Sequence, residues 1–188
     1  MILNKIADAI LRISGWKIEG SVPALDKAVY IAAPHTSNWD GFWLIVAKIA
    51  FGLEAKFLAK HTLFWWPLGA ILARLGAIPI DRSRGAGIVG ELIERFRQSD
   101  RLALALAPEG TRRWMPYWKT GFYRVAVGAE VPIVLGFIDY GSKKMGIGGT
   151  YEPTGDQEKD LDYLRKFYSR FTPCRPENMG PVAFPPGN

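Results

Sequence analysis

Residues 28–40, with the sequence AVYIAAPHTSNWD, are the stretch from which the fold can be inferred. The first six residues are apolar and predict a buried strand, and an apolar helix is predicted to follow the polar turn, over residues 41–53. α/β proteins place reactive groups where a strand, a short polar turn and a helix follow one another. Ser37 fits as the helix N-cap, which makes Asp40 the third helical residue. This geometry directs the Asp40 carboxylate back toward His35.

The same residues have two interpretations. Ser37 and Asp40 match a capping box, in which the Asp40 carboxylate accepts backbone N–H groups and suits the positive end of the helix dipole. Alternatively, His35 and Asp40 form a catalytic pair. The two interpretations are compatible, because a capping geometry would place Asp40 beside His35.

The composition fits one folded domain over residues 1–188. The chain is 48% hydrophobic and carries a net charge of +6, which favours anionic partners such as nucleic acid, anionic lipid surfaces and phosphorylated or CoA-like substrates. The single cysteine, Cys174, excludes an intramolecular disulfide and is compatible with a reducing cytoplasm. One cysteine and two histidines argue against a zinc site, so we expect no metal.

Membrane contact is expected at the surface rather than across the bilayer. The longest stretch without acidic or basic side chains is residues 61–73, 13 residues, whereas a spanning helix needs about 20. Residues 2–14 predict an amphipathic helix within an N-terminal segment 1–16, and packing on the domain is its default interpretation, with a membrane interface as the alternative. Trp65 and Trp66 before Pro67 are typical of an interface.

Predicted strands and helices alternate along the chain. The strands are 28–33, 55–59, 77–80, 102–107 and 131–140, with an edge strand at 145–149. The helices are 2–14, 41–53, 67–75, 87–98, 120–129 and 156–171, and residues 172–188 form an irregular tail. This alternation predicts a single α/β domain with a central, largely parallel sheet flanked by helices.

Polar turns directly follow four of the predicted strands. These turns contain His35, Lys60, Arg82 and Glu109. Because the carboxyl ends of parallel strands meet at one edge of a sheet, we expect the four turns to form a single site.

Four segments, taken in order, resemble the motifs of the glycerolipid acyltransferase family. His35, Ser37 and Asp40 match the first motif, a His and an Asp separated by four residues (HX4D). The second motif, Gly-x-Ile-x-x-x-Arg, is matched by Gly76, Ile78 and Arg82. Residues 108–112 match the third, Pro-Glu-Gly-Thr-Arg, in full, and residues 131–133 match the fourth, Val-Pro-Ile. Lys60 resembles a family lysine ahead of the second motif. The order and spacing agree over about residues 28–140, which is far more specific than any one motif.

The resemblance implies a glycerol-phosphate-acyltransferase-like fold and a role in phospholipid biosynthesis. The implied reaction moves an acyl group from acyl-CoA or acyl carrier protein to a hydroxyl of a lysophospholipid such as 1-acylglycerol-3-phosphate. The thioester is a co-substrate, and no cofactor is implied. His35 would be the general base, without a covalent intermediate, and Asp40 would orient its imidazole. The acceptor head would be bound by Glu109, Gly110, Thr111 and Arg112, with Arg82 and Lys60 adding positive charge.

The expected location follows from lipid substrates. We expect a cytoplasmic protein that associates peripherally with the inner face of the cell membrane through residues 63–66 and the first helix.

One alternative function is that of a thioesterase or esterase that uses the same His–Asp pair to activate water. A second is a non-catalytic membrane lipid-binding module. Nucleic-acid binding is not expected, since the basic residues are spread along the chain and no nucleic-acid motif is visible.

Overall fold

The computed structural model describes residues 2–80 and 87–186, in which helices and strands alternate as predicted. The strands are β1 (Lys17–Glu19), β2 (Lys27–Ala33), β3 (Lys56–Lys60), β4 (Ala77–Ile80), β5 (Leu102–Leu106), β6 (Ile133–Asp139) and β7 (Lys144–Tyr151). The helices are α1 (Ile2–Ser14), α2 (Asn38–Ala50), α3 (Leu68–Arg74), α4 (Gly87–Gln98), α5 (Gly121–Gly128) and α6 (Gln157–Tyr168), with short 3₁₀ turns at His61–Leu63 and Pro176–Asn178.

The described strands form one sheet in the order β1-β7-β6-β2-β5-β3-β4. All neighbours pair in parallel except β6 and β7. Strand β2 lies at the centre, where Tyr30 is opposite Ala105 of β5 on one side and Val134 of β6 on the other. The predicted single α/β domain with a largely parallel sheet is therefore confirmed.

The strand predicted at 145–149 corresponds to β7, but the prediction that it lies at the edge of the sheet was wrong. Strand β1 pairs with β7 and covers that edge. Gly146 permits this approach, because a Cβ atom there would strike the carbonyl oxygen of Glu19. A strand of three residues is too short to show a period of two, so β1 left no pattern in the sequence.

Alternation of leucine and alanine along β5 gives the sheet two different faces. Leu102 and Leu104 are buried in the core formed with α4, α5 and α6. Ala103 and Ala105 point to the opposite face, which carries α1 and α2. Alanine fills less space than leucine, so the sheet leaves room beneath α2.

Helix α1 has a buried stripe and an exposed apolar stripe. Ala7 and Leu11 are buried against α2 and its neighbours, which confirms the predicted packing on the domain. Leu3, Ile6 and Ile13 remain exposed. Among the described residues, no helix combines the length and apolarity needed to cross a bilayer.

Candidate active site

The turn between β2 and α2, residues 34–37, is built by the predicted capping box. Ser37 is the N-cap of α2, and its hydroxyl accepts the backbone N–H of Trp39 at 3.2 Å. Asp40 Oδ2 accepts the backbone N–H groups of Thr36 at 2.6 Å and Ser37 at 2.7 Å. The capping interpretation is thus confirmed. We call residues 34–37 the His35 turn.

The capping geometry also places Asp40 beside His35, as expected if both interpretations hold. His35 Nδ1 lies 3.7 Å from Asp40 Oδ2, and the two side chains are 17% and 0% exposed. This separation is longer than a hydrogen bond. Catalytic hydrogen bonds often shorten only when substrate is bound, so the distance is compatible with a pair that acts during the reaction.

The second carboxylate oxygen of Asp40 accepts a hydrogen bond that the sequence did not reveal. Tyr140 follows the last residue of β6, and its hydroxyl donates to Asp40 Oδ1 at 2.7 Å. Burial and this hydrogen bond hold the pKa of Tyr140 well above its usual range, and the thiol of Cys174 close by acts in the same direction. Asp40 therefore has hydrogen bonds on both oxygens.

Glu109 connects a second turn to the His35 turn. It lies in residues 108–113, which follow β5 and are called the EGTR turn below. Its Oε1 accepts the backbone N–H of His35 at 2.9 Å. Burial raises the pKa of Glu109 from 4.5 to about 7, although hydrogen bonds from backbone N–H groups, including that of His35, oppose the shift; the charge of Asp40 adds to it.

A cavity of about 760 Å³ opens beside His35. Its polar end is lined by the predicted site residues His35, Lys60, Gly110, Thr111 and Arg112. Asn38 and Lys119, which were not predicted from the sequence, line the same end. Glu109 does not line the cavity: its carboxyl is buried behind the His35 turn. Three cationic side chains thus surround the cavity mouth, at Lys60, Arg112 and Lys119.

The rest of the cavity is an apolar groove between α2 and the strand β3. Its floor is the alanine face of the sheet, which includes Ala32 and Ala105. Its sides are formed by α2 and by β3 and α3, through Leu44, Ile45, Phe57 and Leu72 among others. Lys48, from the last turn of α2, also lines the groove, and burial lowers the pKa of its amine; Lys56 lowers it further, while Glu54 opposes the shift.

Close packing of Lys119 on the EGTR turn explains the glycine at position 110. Gly110 has a φ of +66°, which glycine adopts without strain. A Cβ atom there would lie 2.9 Å from Lys119 Cγ. The backbone N–H of Lys119 donates to the carbonyl of Pro108 at 2.7 Å. Lys119 immediately precedes the N-cap of α5. A basic residue at the start of a helix was the sequence signal that could have identified Lys119 as a candidate site residue.

The predicted site residues come together where the structure describes them. Strands β2, β3 and β5 run parallel, so their carboxyl ends bring His35, Lys60 and the EGTR turn to one edge of the sheet. Arg82 lies outside the described residues. Within the described part of the chain, no group of three or more His, Cys, Asp or Glu side chains is arranged to hold a metal ion.

Residues 172–186, called the tail, hold the His35 turn in place. The backbone N–H of Arg175 donates to Thr36 Oγ1 at 3.1 Å, and Asn178 Nδ2 donates to the carbonyl of Thr36 at 3.2 Å. The backbone N–H of Trp118 donates to the carbonyl of Ala183 at 2.8 Å. The tail is irregular, as predicted, apart from one 3₁₀ turn, and it contacts segments on both sides of the site.

Comparisons with known proteins agree with this arrangement. A family model described as "Acyltransferase" matches residues 16–135, more than half of the chain. Among solved structures, the chain is similar to the crystal structure of the 1-acyl-sn-glycerophosphate (LPA) acyltransferase PlsC from Thermotoga maritima, with a TM-score of 0.61 and 19% identity over 89% of this chain and 76% of that chain. At this identity the similarity establishes the fold. A comparison with curated protein sequences gives no match.

Proposed function

Because the chain belongs to the acyltransferase family, we propose that it moves a fatty acyl group from an acyl thioester to a hydroxyl of a lysophospholipid such as 1-acylglycerol-3-phosphate. The donor is acyl-CoA or acyl carrier protein. One observation carries the proposal: the His35–Asp40 pair lies where a cationic cavity mouth meets an apolar groove. A phosphorylated lipid acceptor and a fatty acyl donor need both environments.

His35 is the general base in this proposal. Its Nδ1 faces Asp40, which leaves Nε2 to take the proton of the acceptor hydroxyl. The hydroxyl oxygen then attacks the thioester carbonyl, so that a C–O bond forms and the C–S bond breaks. The thiolate leaves and receives the proton from the imidazolium. Asp40 stabilises that imidazolium, and no covalent enzyme intermediate is formed.

The cations at the cavity mouth suit the phosphate of the acceptor. The Arg112 guanidinium offers a bidentate donor to phosphate oxygens, and Lys60 and Lys119 add positive charge. Gly110 and Thr111 line the same end of the cavity, where backbone and hydroxyl groups can contact the glycerol moiety. In this arrangement Glu109 holds the His35 turn from behind.

The groove suits the fatty acyl chain of the donor. Its wall is mostly apolar and begins beside His35, so burial of methylene groups there favours binding by about 0.8 kcal/mol each. A chain lying in the groove would hold its thioester carbonyl near the imidazole, where the acceptor hydroxyl attacks.

The experiment that tests the function is thiol release from palmitoyl-CoA by purified protein, with and without lysophosphatidic acid. We expect release that depends on the acceptor and falls at least ~100-fold in His35→Ala, the usual effect of losing a general base. His61→Ala is the matched control, because His61 is exposed, its Nδ1 lies 3.3 Å from the carbonyl oxygen of Ile80, and it does not line the cavity. Near-normal turnover in folded His35→Ala would overturn the assignment. Release without acceptor would identify a hydrolase instead.

Exposed apolar side chains on both sides of the groove support docking on a membrane surface. On the β3–α3 side these are Leu63, Trp65, Trp66 and Ile71, and on α2 they are Trp39 and Phe42. We call these six residues the apolar rim. Trp65 and Trp66 are 59% and 85% exposed, which is unusual for indole rings and typical of membrane-interface side chains. The proposed site of action is the inner face of the cell membrane, with the protein bound peripherally from the cytoplasm.

Co-sedimentation with vesicles containing anionic phospholipid measures this docking. The double variant Trp65→Ser, Trp66→Ser should lose most of its vesicle binding, since two large apolar side chains no longer enter the interface. Tyr163→Ser is the control, because Tyr163 is exposed on α6 across the sheet from α2. Equal binding by the wild type and the double variant would exclude the apolar rim as the docking surface.

A further inference from the structure

We propose that Tyr140 is a positioning residue for proton transfer: its hydroxyl fixes the Asp40 carboxylate and, through it, the His35 imidazole. The inference rests on the acyl transfer proposed above, and it assigns a role to a residue outside the motifs that carry the family resemblance. Tyr140 does not line the cavity, and its hydroxyl donates to Asp40, so we expect it to act through Asp40.

Three hydrogen bonds determine the orientation of the Asp40 carboxylate. Its Oδ2 accepts the two backbone N–H groups of the His35 turn, at 2.6 and 2.7 Å, and its Oδ1 accepts the Tyr140 hydroxyl at 2.7 Å. The side chain is fully buried. Without Tyr140, Oδ1 would lose the donor that prevents the carboxylate from rotating, and buried surroundings offer little water to replace it.

The Tyr140 hydroxyl is itself held by packing from several elements. The Tyr140 ring meets Trp16 edge to face at a centroid distance of 5.0 Å, and Trp16 stacks on Trp43 of α2 at 4.7 Å. The backbone N–H of Tyr140 donates to the carbonyl of Thr172 at 2.9 Å. The ring position is therefore set by β6, α2, the segment after α1 and the tail, which leaves the hydroxyl little freedom.

The hydrogen bond has a consequence for the basicity of His35. Donation to Oδ1 draws negative charge away from Oδ2, the oxygen that faces the imidazole. Removing the hydroxyl leaves more charge on Oδ2 and stabilises the imidazolium, so His35 should gain its proton at a higher pH. The other ionisable groups facing this cluster are Glu109 behind the His35 turn, the cations of the cavity mouth and Cys174 beside Tyr140. Tyr140→Phe leaves all of these groups in place, and of them Cys174 loses its hydrogen bond with the Tyr140 hydroxyl.

Tyr140→Phe keeps the ring and removes only the hydroxyl. We expect kcat to fall about tenfold, the factor that corresponds to one hydrogen bond of about 1.4 kcal/mol, with the KM of the acceptor nearly unchanged. The acid limb of the pH profile of kcat/KM should move to higher pH. The same shift should appear in the NMR titration of the His35 ring. The chain has two histidines, so the His61→Ala variant identifies the His35 signal.

Tyr151→Phe is the matched control. The Tyr151 hydroxyl donates to Asp160 Oδ1 at 2.6 Å, and Asp160 is as fully buried as Asp40. Neither residue lines the cavity. This variant should therefore lose a comparable hydrogen bond, visible as lower stability in urea, while kcat and the His35 titration stay at their wild-type values.

A double-mutant cycle tests whether Tyr140 acts through Asp40. In an Asp40→Asn background, Tyr140→Phe should change kcat less than twofold, because the positioned carboxylate is already gone. A tenfold loss in both backgrounds, or wild-type kcat and titration in Tyr140→Phe, would overturn the inference. Failure of the proposed function is a different result: it would appear as wild-type protein without acceptor-dependent transfer or as active His35→Ala. The NMR titration decides the positioning role in either case.

Discussion

Glu109 illustrates a residue whose surroundings were not evident from its motif. It was predicted to bind the acceptor head, and that prediction rested on the family resemblance. In the structure its side chain is 7% exposed, Oε1 accepts the His35 N–H, and Oε2 has no hydrogen-bond partner among the described residues. A buried carboxyl with one unsatisfied oxygen favours the protonated form.

Burial of Glu109 should make stability depend on pH. Its pKa is 4.5 when exposed and about 7 in the fold. Between these values the folded protein keeps a proton that the unfolded chain has released, so stability should fall as pH rises through this window, by up to about 3 kcal/mol. Glu109→Gln cannot ionise and keeps an oxygen for the His35 N–H. Urea unfolding should show the variant more stable than the wild type at pH 8, with a smaller difference at pH 5.

Glu152→Gln provides the comparison for this measurement, since Glu152 is exposed. Its stability should follow that of the wild type at both pH values. A difference between Glu109→Gln and the wild type that stays constant from pH 5 to pH 8 would contradict a raised pKa at Glu109.

The geometry of the site was predictable where its residues lie close together along the chain, and not where they are far apart. His35, Ser37 and Asp40 lie within six positions, so capping rules fixed their geometry. Tyr140 reaches Asp40 across 100 positions, and no local pattern specifies which tyrosine does so. Lys119 packs on Gly110 from the next loop. Contacts of this kind depend on the sheet order, which the sequence pattern does not specify.

Strand β5 shows how a simple alternation produces the groove. Its leucines enter the core with α4, α5 and α6, while its alanines face the space under α2. A strand was predicted over residues 102–107, but the uninterrupted run of apolar residues hid the difference in side-chain size between its two faces. The apolar cavity was therefore not predicted.

Enlarging one floor residue should alter donor preference. Ala105 lines the groove, and Ala105→Leu would place three more carbon atoms in the path proposed for the acyl chain. We expect kcat/KM for palmitoyl-CoA to fall at least tenfold relative to that for butyryl-CoA, since loss of two buried methylene contacts already corresponds to about 1.6 kcal/mol. Parallel assays with the two donors give this ratio.

Ala103→Leu is the control for this prediction. Ala103 faces the same side of the sheet two residues earlier and does not line the cavity. A ratio that changes equally in both variants would place the acyl chain elsewhere. The ratio is insensitive to a partial loss of folded protein, because both donors are assayed on the same sample.

Most helices and strands were predictable because they are long enough to show the periodicity of their apolar residues. Helix α4 was predicted at its observed bounds, and α2 begins where the predicted Ser37 cap places it, three residues before the apolar run 41–53. Strand β1 was missed, and with it the true edge of the sheet. Its three residues gain their structure from pairing with β7, which is a tertiary contact.

At the scale of the whole molecule, the tail connects the end of the chain to the site. Asn178→Ala removes the hydrogen bond from Nδ2 to the carbonyl of Thr36, and the His35 turn should become less rigid. We expect kcat to fall severalfold and stability to drop by about 1 kcal/mol, the net value of one hydrogen bond. Steady-state kinetics and thermal unfolding measure the two effects.

The neighbouring contact supplies a control for the tail. Arg175 reaches Thr36 through its backbone N–H, so Arg175→Ala should preserve the contact and the turnover. If Arg175→Ala and Asn178→Ala reduce kcat equally, the effect comes from the tail as a whole and the specific hydrogen bond of Asn178 is not responsible.

The central place of β2 also bears on how the protein is made. Both of its partners, β5 and β6, come from the second half of the chain. A ribosome must therefore synthesise the chain as far as residue 139 before the strand that precedes the His35 turn can be hydrogen-bonded on both sides. Until then, the tryptophans of the first half remain exposed on an unfinished chain. Such non-local pairing slows folding and favours aggregation of intermediates, which predisposes this small protein to need a chaperone during synthesis.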